Sequence, residues 1–470
     1  MIEKEFSQAL RRGLGGAIIE LKNSENKAAY HDILLRYCLR DISYDGQVEG
    51  TKGDYLYLAI CESGERVYYE RAIIDKFLSR CEDGLFQQLL DMLFCCANDG
   101  GTPARDALHA KYEYFGGKKG RLVKGRVDEG FQWENVACRL FTIDGFSAFE
   151  RYAMDIGELL RKDPGKCNVL YYDSFIPKAE GIFGKKRICA FIDKMYEKSD
   201  AIKELVDTLK CEELSRRQYQ ENRGEEQVTV EALVRTAKEM ASGEISHYGP
   251  IMRLRRPFLK NASDEDILKL AHIVLREKSE TVKGLLLRIF LSNMVWNKPF
   301  PLGATPLLEY ALSDNEILSE NALGRLEEFK DGRIHGLAIQ LLKDKGIKSL
   351  ALGLLKKNYR KSDDLIIAEV IKKAPNIPQD VQSDIADIYS RHRSANALPV
   401  LLHVYQKGEC SHCRYSVVKA MHHCKVLPDD ILEECLYDSY EDTRRFAGQL
   451  QKKKQKQGGR LYGCNRADKS

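Results

Sequence analysis

The chain has no apolar run of the roughly 18 residues that a membrane-spanning helix needs, so neither a span nor a membrane partner is expected. Its first residues, MIEKEFSQALRRGLGG, lack the apolar core of a secretory signal. The fourteen cysteines are scattered, with none between Cys211 and Cys410, and that spacing is not a disulfide framework. Reduced thiols in a cytoplasmic protein are expected instead. Strict alternation of polar and apolar residues, the mark of a half-buried strand, is hard to find. Excess charge of one sign is also missing from the body. The formal net charge is +4, but residues 452–470 hold seven Lys or Arg and one Asp, which leaves the rest at −2. A nucleic-acid binder shows a basic footprint, and here any such footprint must be local.

What is present is helical spacing. DEDILKLAHIVLRE places Ile267, Leu268, Leu270, Ala271 and Val274 on one face, and ALPVLLHVYQK does the same with Leu398, Leu401, Leu402 and Val404. In the first half, NKAAYHDILLRYCLRD, RVYYERAIIDKFLSR and LFQQLLDMLFCCAND read as amphipathic or buried helices, with tyrosine dense at Tyr55, Tyr57, Tyr68, Tyr69, Tyr112 and Tyr114. A length of 470 residues suits two or three globular domains. The segment 211–227, CEELSRRQYQENRGEEQ, is charged and nearly free of aliphatic residues, and is the best candidate for a linker or a solvated helix.

Repetition is the next signal. DSYEDTRRFAGQL carries Arg444, Ala447 and Leu450; ECSHCRYSVVKAM carries Arg414, Val417 and Ala420; KSETVKGLLLRIF carries Lys283, Leu286 and Ile289. Each has a basic residue early in a helix, with apolar residues three and six positions later. About seven helix pairs fit between Glu231 and Gln451. A lone hairpin cannot bury two apolar faces, so hairpins must stack.

This pattern resembles the HEAT-repeat family of α-solenoids, most closely in DSYEDTRRFA. LSDNEILSENALGRL is a weaker match, with Asp314 in the turn but Glu320 where the basic residue belongs. The resemblance implies an all-α fold, an α-solenoid of stacked hairpins with a divergent helical N-terminal half. The expected division is 1–210, a linker at 211–229, repeats at 230–451 and a disordered basic tail at 452–470. The resemblance also gives Asp438, Arg414 and Arg444 the role of stabilising neighbouring repeats. It implies binding as the mode of action and names no partner.

Individual motifs add less. In CSHCRYSVVKAMHHC, from Cys410 to Cys424, the residues Ser411 to His423 read as one helix, with Cys413, Val417, Ala420, Met421 and Cys424 on one face. At 1.5 Å per residue Cys413 and Cys424 lie about 16 Å apart and cannot share an ion. Cys410, Cys413 and His403 leave one metal geometry open, but the expectation is core cysteines, with no metal and no cofactor. GGKKGRLVKGR supplies Lys118, Lys119, Arg121, Lys124 and Arg126 beside Tyr112, Tyr114 and Phe115, which suits phosphate or single-stranded nucleic acid as well as a plain solvated loop. MRLRRPFLK supplies Arg253, Arg255, Arg256 and Lys260 at an expected helix end or turn around Pro257. Gly13, Gly15 and Gly16 follow no strand, so they read as a helix break or a close helix approach. The pairs Asp363–Asp364 and Asp429–Asp430 are the notable paired carboxylates, and the second begins a helix. GxSxG, HExxH and HxE…PCxxC are all absent.

The leading expectation is therefore a non-catalytic scaffold that binds a protein partner. The alternative is a HEAT-like nucleic-acid binder, including a DNA-repair glycosylase, gripping through 118–126 and 253–260. Such an enzyme wants a carboxylate and an aromatic platform in its groove, and neither of the two tryptophans, Trp133 and Trp296, is placed there by the sequence. An enzyme with dispersed catalytic residues is the third reading.

Overall fold

The computed structural model describes residues 1–116, 129–164, 175–224, 228–243, 249–290, 298–345, 349–374 and 376–464, with side chains described except at 212, 214–224, 345, 349 and 456–464. Among these residues the fold is all-α, with 27 α-helices and one isolated bridge, Ile377 to Gly408. None of the described helices is long and apolar enough to cross a membrane. The chain forms two compact units, Met1–Gln218 with Asp429–Ser470, and Tyr219–Pro428.

The first unit begins with α1 (Glu3–Arg12), α2 (Gly16–Asn23), α3 (His31–Cys38), α4 (Gly46–Glu49), α5 (Gly53–Ser63), α6 (Arg66–Leu78), α7 (Asp83–Asn98) and α8 (Thr102–Gly116). It continues with α9 (Gly130–Asp144), α10 (Phe146–Lys162), α11 (Phe175–Phe183), α12 (Lys185–Tyr196) and α13 (Asp200–Gly224). The expected linker thus begins inside a long helix. Helix α7 is central, packing on α5, α6, α8 and α9. Its Gln88 is fully buried, and its Nε2 donates to the carbonyls of Tyr37 (3.1 Å), Cys38 (3.3 Å) and Arg40 (2.9 Å). Those carbonyls sit at and just beyond the end of α3, where helices leave acceptors without intrahelical partners.

Two buried lysines are handled differently. Lys52 is paired with Glu49 at 3.1 Å and donates to the Ile42 carbonyl at 2.8 Å. Lys111 lies among rings, 5.0 Å from the centroid of Tyr114, 5.4 Å from Phe115 and 5.5 Å from Phe77, while Nζ donates to the Ser79 carbonyl at 3.0 Å. A desolvated ammonium gains from ring faces in this arrangement. Farther along, Tyr152 meets Trp133 edge-on at 4.9 Å and Phe175 at 4.7 Å, and Phe149 contacts Phe141 (5.7 Å) and Phe191 (5.6 Å). Rings from four helices, α9 to α12, make this core.

The second unit holds α14 (Val230–Ala241), α15 (Gly249–Asn261), α16 (Asp264–Arg276), α17 (Glu280–Leu287), α18 (Thr305–Tyr310) and α19 (Glu316–Leu326). It continues with α20 (Gly332–Lys345), α21 (Ser349–Asn358), α22 (Asp363–Lys373), α23 (Gln379–His392), α24 (Leu398–Lys407) and α25 (Ser411–His423). Helices alternate between two rows. In one row α17 packs on α19, α19 on α21, α21 on α23 and α23 on α25; in the other α20 packs on α22 and α22 on α24. Ser263, Ser279 and Asn315 cap α16, α17 and α19 by accepting N–H bonds, each cap contributing about 1 kcal/mol. Gly284 lets α17 approach α19 closely, since a Cβ there would lie 2.7 Å from the backbone at Ile317.

The last helices, α26 (Asp429–Cys435) and α27 (Glu441–Cys464), belong to the first unit. From Val230 to Cys464 the described residues form fourteen α-helices, the last two of them outside the second unit. Helix α27 runs through much of the segment read as a disordered tail. Lys and Gln are good helix formers, and a nucleated helix propagates without an apolar period.

The glycines near the N-terminus explain themselves here. Gly13 ends α1 with φ +73°, and its carbonyl accepts the Ser439 N–H at 2.9 Å. A Cβ on Gly15 would lie 1.9 Å from the Glu434 carbonyl oxygen, and the Gly16 N–H donates to Glu434 Oε1 at 3.2 Å. The turn between α26 and α27 docks on this bare backbone.

Candidate functional site

Of the two basic segments, the first lies outside the described residues, and with it Lys118, Lys119, Arg121, Lys124 and Arg126. The second forms α15 rather than a helix end, with Pro257 inside it on a half-exposed side, where water can replace the missing backbone donor. Arg253, Arg256 and Lys260 are exposed. Arg255 differs from its neighbours: it is buried, and its Nε donates to the Ile289 carbonyl at 3.4 Å. Arg325 of α19 does similar work, with Nη1 on the Phe290 carbonyl and Nη2 on the Gly324 carbonyl at 2.9 Å. Burial pulls its guanidinium down to about 10, and the carboxylates of Glu327 and Glu328 offset only part of that.

An open groove of about 530 Å³ runs between α14 and α16. Val234 and Ile273 give it an apolar floor, while Glu231, Arg235, Lys238 and Glu239 line it with two charges of each sign. Lys269 bridges to Glu231 at 2.5 Å, tying α16 to α14 at one end.

Beyond the groove, a line of buried and half-buried polar groups passes from helix to helix. Lys356 of α21 reaches Asp384 of α23 at 2.7 Å and Glu327, just after α19, at 3.3 Å. Burial lowers the Lys356 pKa, but the two carboxylates more than offset this and leave it raised. Glu327, the more distant partner, is nevertheless raised by burial, which outweighs its share of Lys356. Both shifts are upward, because Lys356 gains from two carboxylates while the desolvation of Glu327 exceeds what it gains from one shared ammonium. His335 of α20 lies 3.0 Å from Asp363, whose carboxylate also accepts the Arg360 N–H at 2.7 Å. Asp364 accepts hydrogen bonds from Tyr359 (2.5 Å) and Ser394 (2.6 Å). Both aspartates begin α22 and are buried. Donors from neighbouring elements fill each carboxylate, which is the chemistry of a structural tie. The sequence shows the Asp-Asp pair with Tyr359 and Arg360 close by, but His335 and Ser394 come from 28 and 30 positions away and leave no local signal.

The residues implied as repeat stabilisers are placed as follows. Asp438 is fully buried and accepts the Tyr440 N–H at 2.8 Å. Arg444 donates through Nη1 to the carbonyls of Asp438 (2.6 Å) and Ser439 (2.9 Å), closing the turn of its own hairpin. Arg414 is buried within α25. In the weaker match, Asp314 is exposed; Asn315 beside it caps α19 and donates through Nδ2 to Thr281 Oγ1 at 3.1 Å, reaching α17. Helix α25 has the bounds read from the sequence, with Cys413, Val417, Ala420 and Met421 buried.

Searches against known protein families, curated proteins and solved structures find no match to this chain.

Proposed function

We propose that the chain is a non-catalytic scaffold, an α-solenoid of stacked hairpins of the HEAT-like kind its repeats resemble, which binds a protein partner along an extended surface. The observation that carries this reading is the α14–α16 groove. Its apolar floor and balanced charges suit an amphipathic protein segment, whereas a polyphosphate would meet Glu231 and Glu239. The alternating helix rows of the second unit support the stacking.

A second reading keeps nucleic acid as the partner, because Arg253, Arg256 and Lys260 are exposed along one helix. One pair of variants separates the two. Val234→Arg with Ile273→Arg fills the groove; Arg253→Glu with Arg256→Glu reverses the helix charge. The scaffold reading expects nuclease-treated extract of the native cell to yield a protein retained by the unmodified chain and by the α15 variant, and lost with the groove variant. Direct binding of labelled DNA or RNA that falls steeply with salt, survives Lys452, Lys453 and Lys454→Gln, and is lost with the α15 variant overturns it in favour of nucleic acid.

A further inference from the structure

Cys410, His412 and Cys413 bring one ligand atom each to within 4.8 Å of one another, at the start of α25. Among the described residues this is the one grouping of three metal-type donors so placed. The donors come from a single short segment, CSHC, whereas a site with His403 would have to draw on the preceding helix. Around a tetrahedral Zn²⁺, bonds of about 2.3 Å to sulfur and about 2.0–2.1 Å to nitrogen put neighbouring donors roughly 3.6–3.8 Å apart. The observed spacing, at most 4.8 Å, exceeds that by only about 1 Å.

The backbone favours the charged form of these ligands. Cys410 is the N-cap of α25, and the Cys413 N–H points at its Sγ across 3.5 Å. Thirteen residues of helix follow, so their dipole presents its positive end to both sulfurs. A thiolate at a helix N-terminus is stabilised in this way. Cys410 is fully buried and Cys413 is 5% exposed, while His412 is half-buried. Burial alone would oppose two thiolates, but two thiolates and a neutral imidazole on a divalent ion sum to zero charge. Cys413 Sγ also makes a long contact of 3.7 Å to the Gln379 carbonyl, which it gives up as a ligand.

We infer that Cys410, His412 and Cys413 form a binding site for Zn²⁺, with water as the fourth ligand, at the N-cap and first turn of α25. Binding converts two thiols to thiolates and releases two protons to solvent. The site adds to the scaffold reading and does not depend on it, because metal content is measured without a partner.

Cobalt(II) titration of the full, reduced chain tests the assignment. One equivalent produces a thiolate-to-cobalt band in the near ultraviolet with visible bands of a tetrahedral ion, and Zn²⁺ displaces it. Cys410→Ser with Cys413→Ser removes the band. His412→Gln, at a half-buried position, keeps the helical circular dichroism and weakens cobalt binding at least tenfold. Absence of the band at stoichiometric cobalt overturns the site, as does its survival in the double serine variant. If the serine chain fails to fold, unchanged cobalt affinity in His412→Gln overturns it instead.

Discussion

The two units solve the same packing problem with different chemistry. In the first, rings and buried lysines occupy the places between helices: Trp133, Tyr152 and Phe149 in one cluster, Lys111 under its rings, Lys52 against Glu49. In the second, aliphatic faces are joined by polar ties spaced about one hairpin apart, such as Lys356 to Asp384 and Ser394 to Asp364. Ring clusters are bulky and suit an irregular interior. Short ties recur easily wherever one helix pair follows another in the same way. The difference accounts for the unequal legibility of the two halves, since repetition leaves a period in the sequence and a ring cluster does not.

The comparison can be broken first where it is strongest. Phe149→Ala removes a ring from the centre of the first unit and should cost about 3–5 kcal/mol, read as an early transition in urea melts of the first unit. Glu49→Gln should cost about 3 kcal/mol, because it leaves the Lys52 ammonium buried without its counter-charge. Lys52→Met combined with Glu49→Leu should recover most of that loss, and a double variant no better than the single would show that the pair itself is not the issue. In the second unit, Asp364→Asn should cost about 1.5–3 kcal/mol, as the hydroxyls of Tyr359 and Ser394 lose a charged acceptor. Equal losses for Phe149 and Asp364 would erase the contrast between the units. Gly15→Ala should cost about 1–3 kcal/mol through overlap with the Glu434 carbonyl, and hydrogen exchange should rise in α26 and the start of α27 before it rises elsewhere.

The smallest effect is a pH slope in the second unit. Burial raises the Glu327 pKa above its ordinary 4.5. The folded chain therefore holds that proton more tightly than the unfolded chain, so Glu327 makes the unit gain stability as pH falls through the raised value toward 4.5. Below that range the contribution is constant. Chemical denaturation of Glu327→Gln over the same range should show this slope removed, and an unchanged slope would assign it to another carboxylate.

Much of the fold was legible beforehand. Helix α25 is bounded as read, and the helical segments around Leu34, Ile73 and Leu90 lie where periodicity put them. The role of Gly13, Gly15 and Gly16 as a place of close approach was also readable, though not its partner, which is over 400 positions away. The inward turn of Arg255 was not readable, because three arginines in four residues look alike until a helix phase separates them. Nor was the groove, whose floor combines one residue each from α14 and α16.

By itself the sequence determined the class of structure, the bounds of many helices and the faces they bury, because an apolar period of 3.6 residues has one favourable backbone solution in water. It also placed Cys410, His412 and Cys413 in one helical turn. The tertiary structure alone decided which partners those faces meet: Gln88 beneath the end of α3, Ser394 on Asp364, and the α26–α27 turn on the glycines of the first two helices. The physical reason is that a hydrogen bond or a close backbone approach depends on atoms brought together across tens or hundreds of residues. Local propensity carries no record of which distant atom arrives.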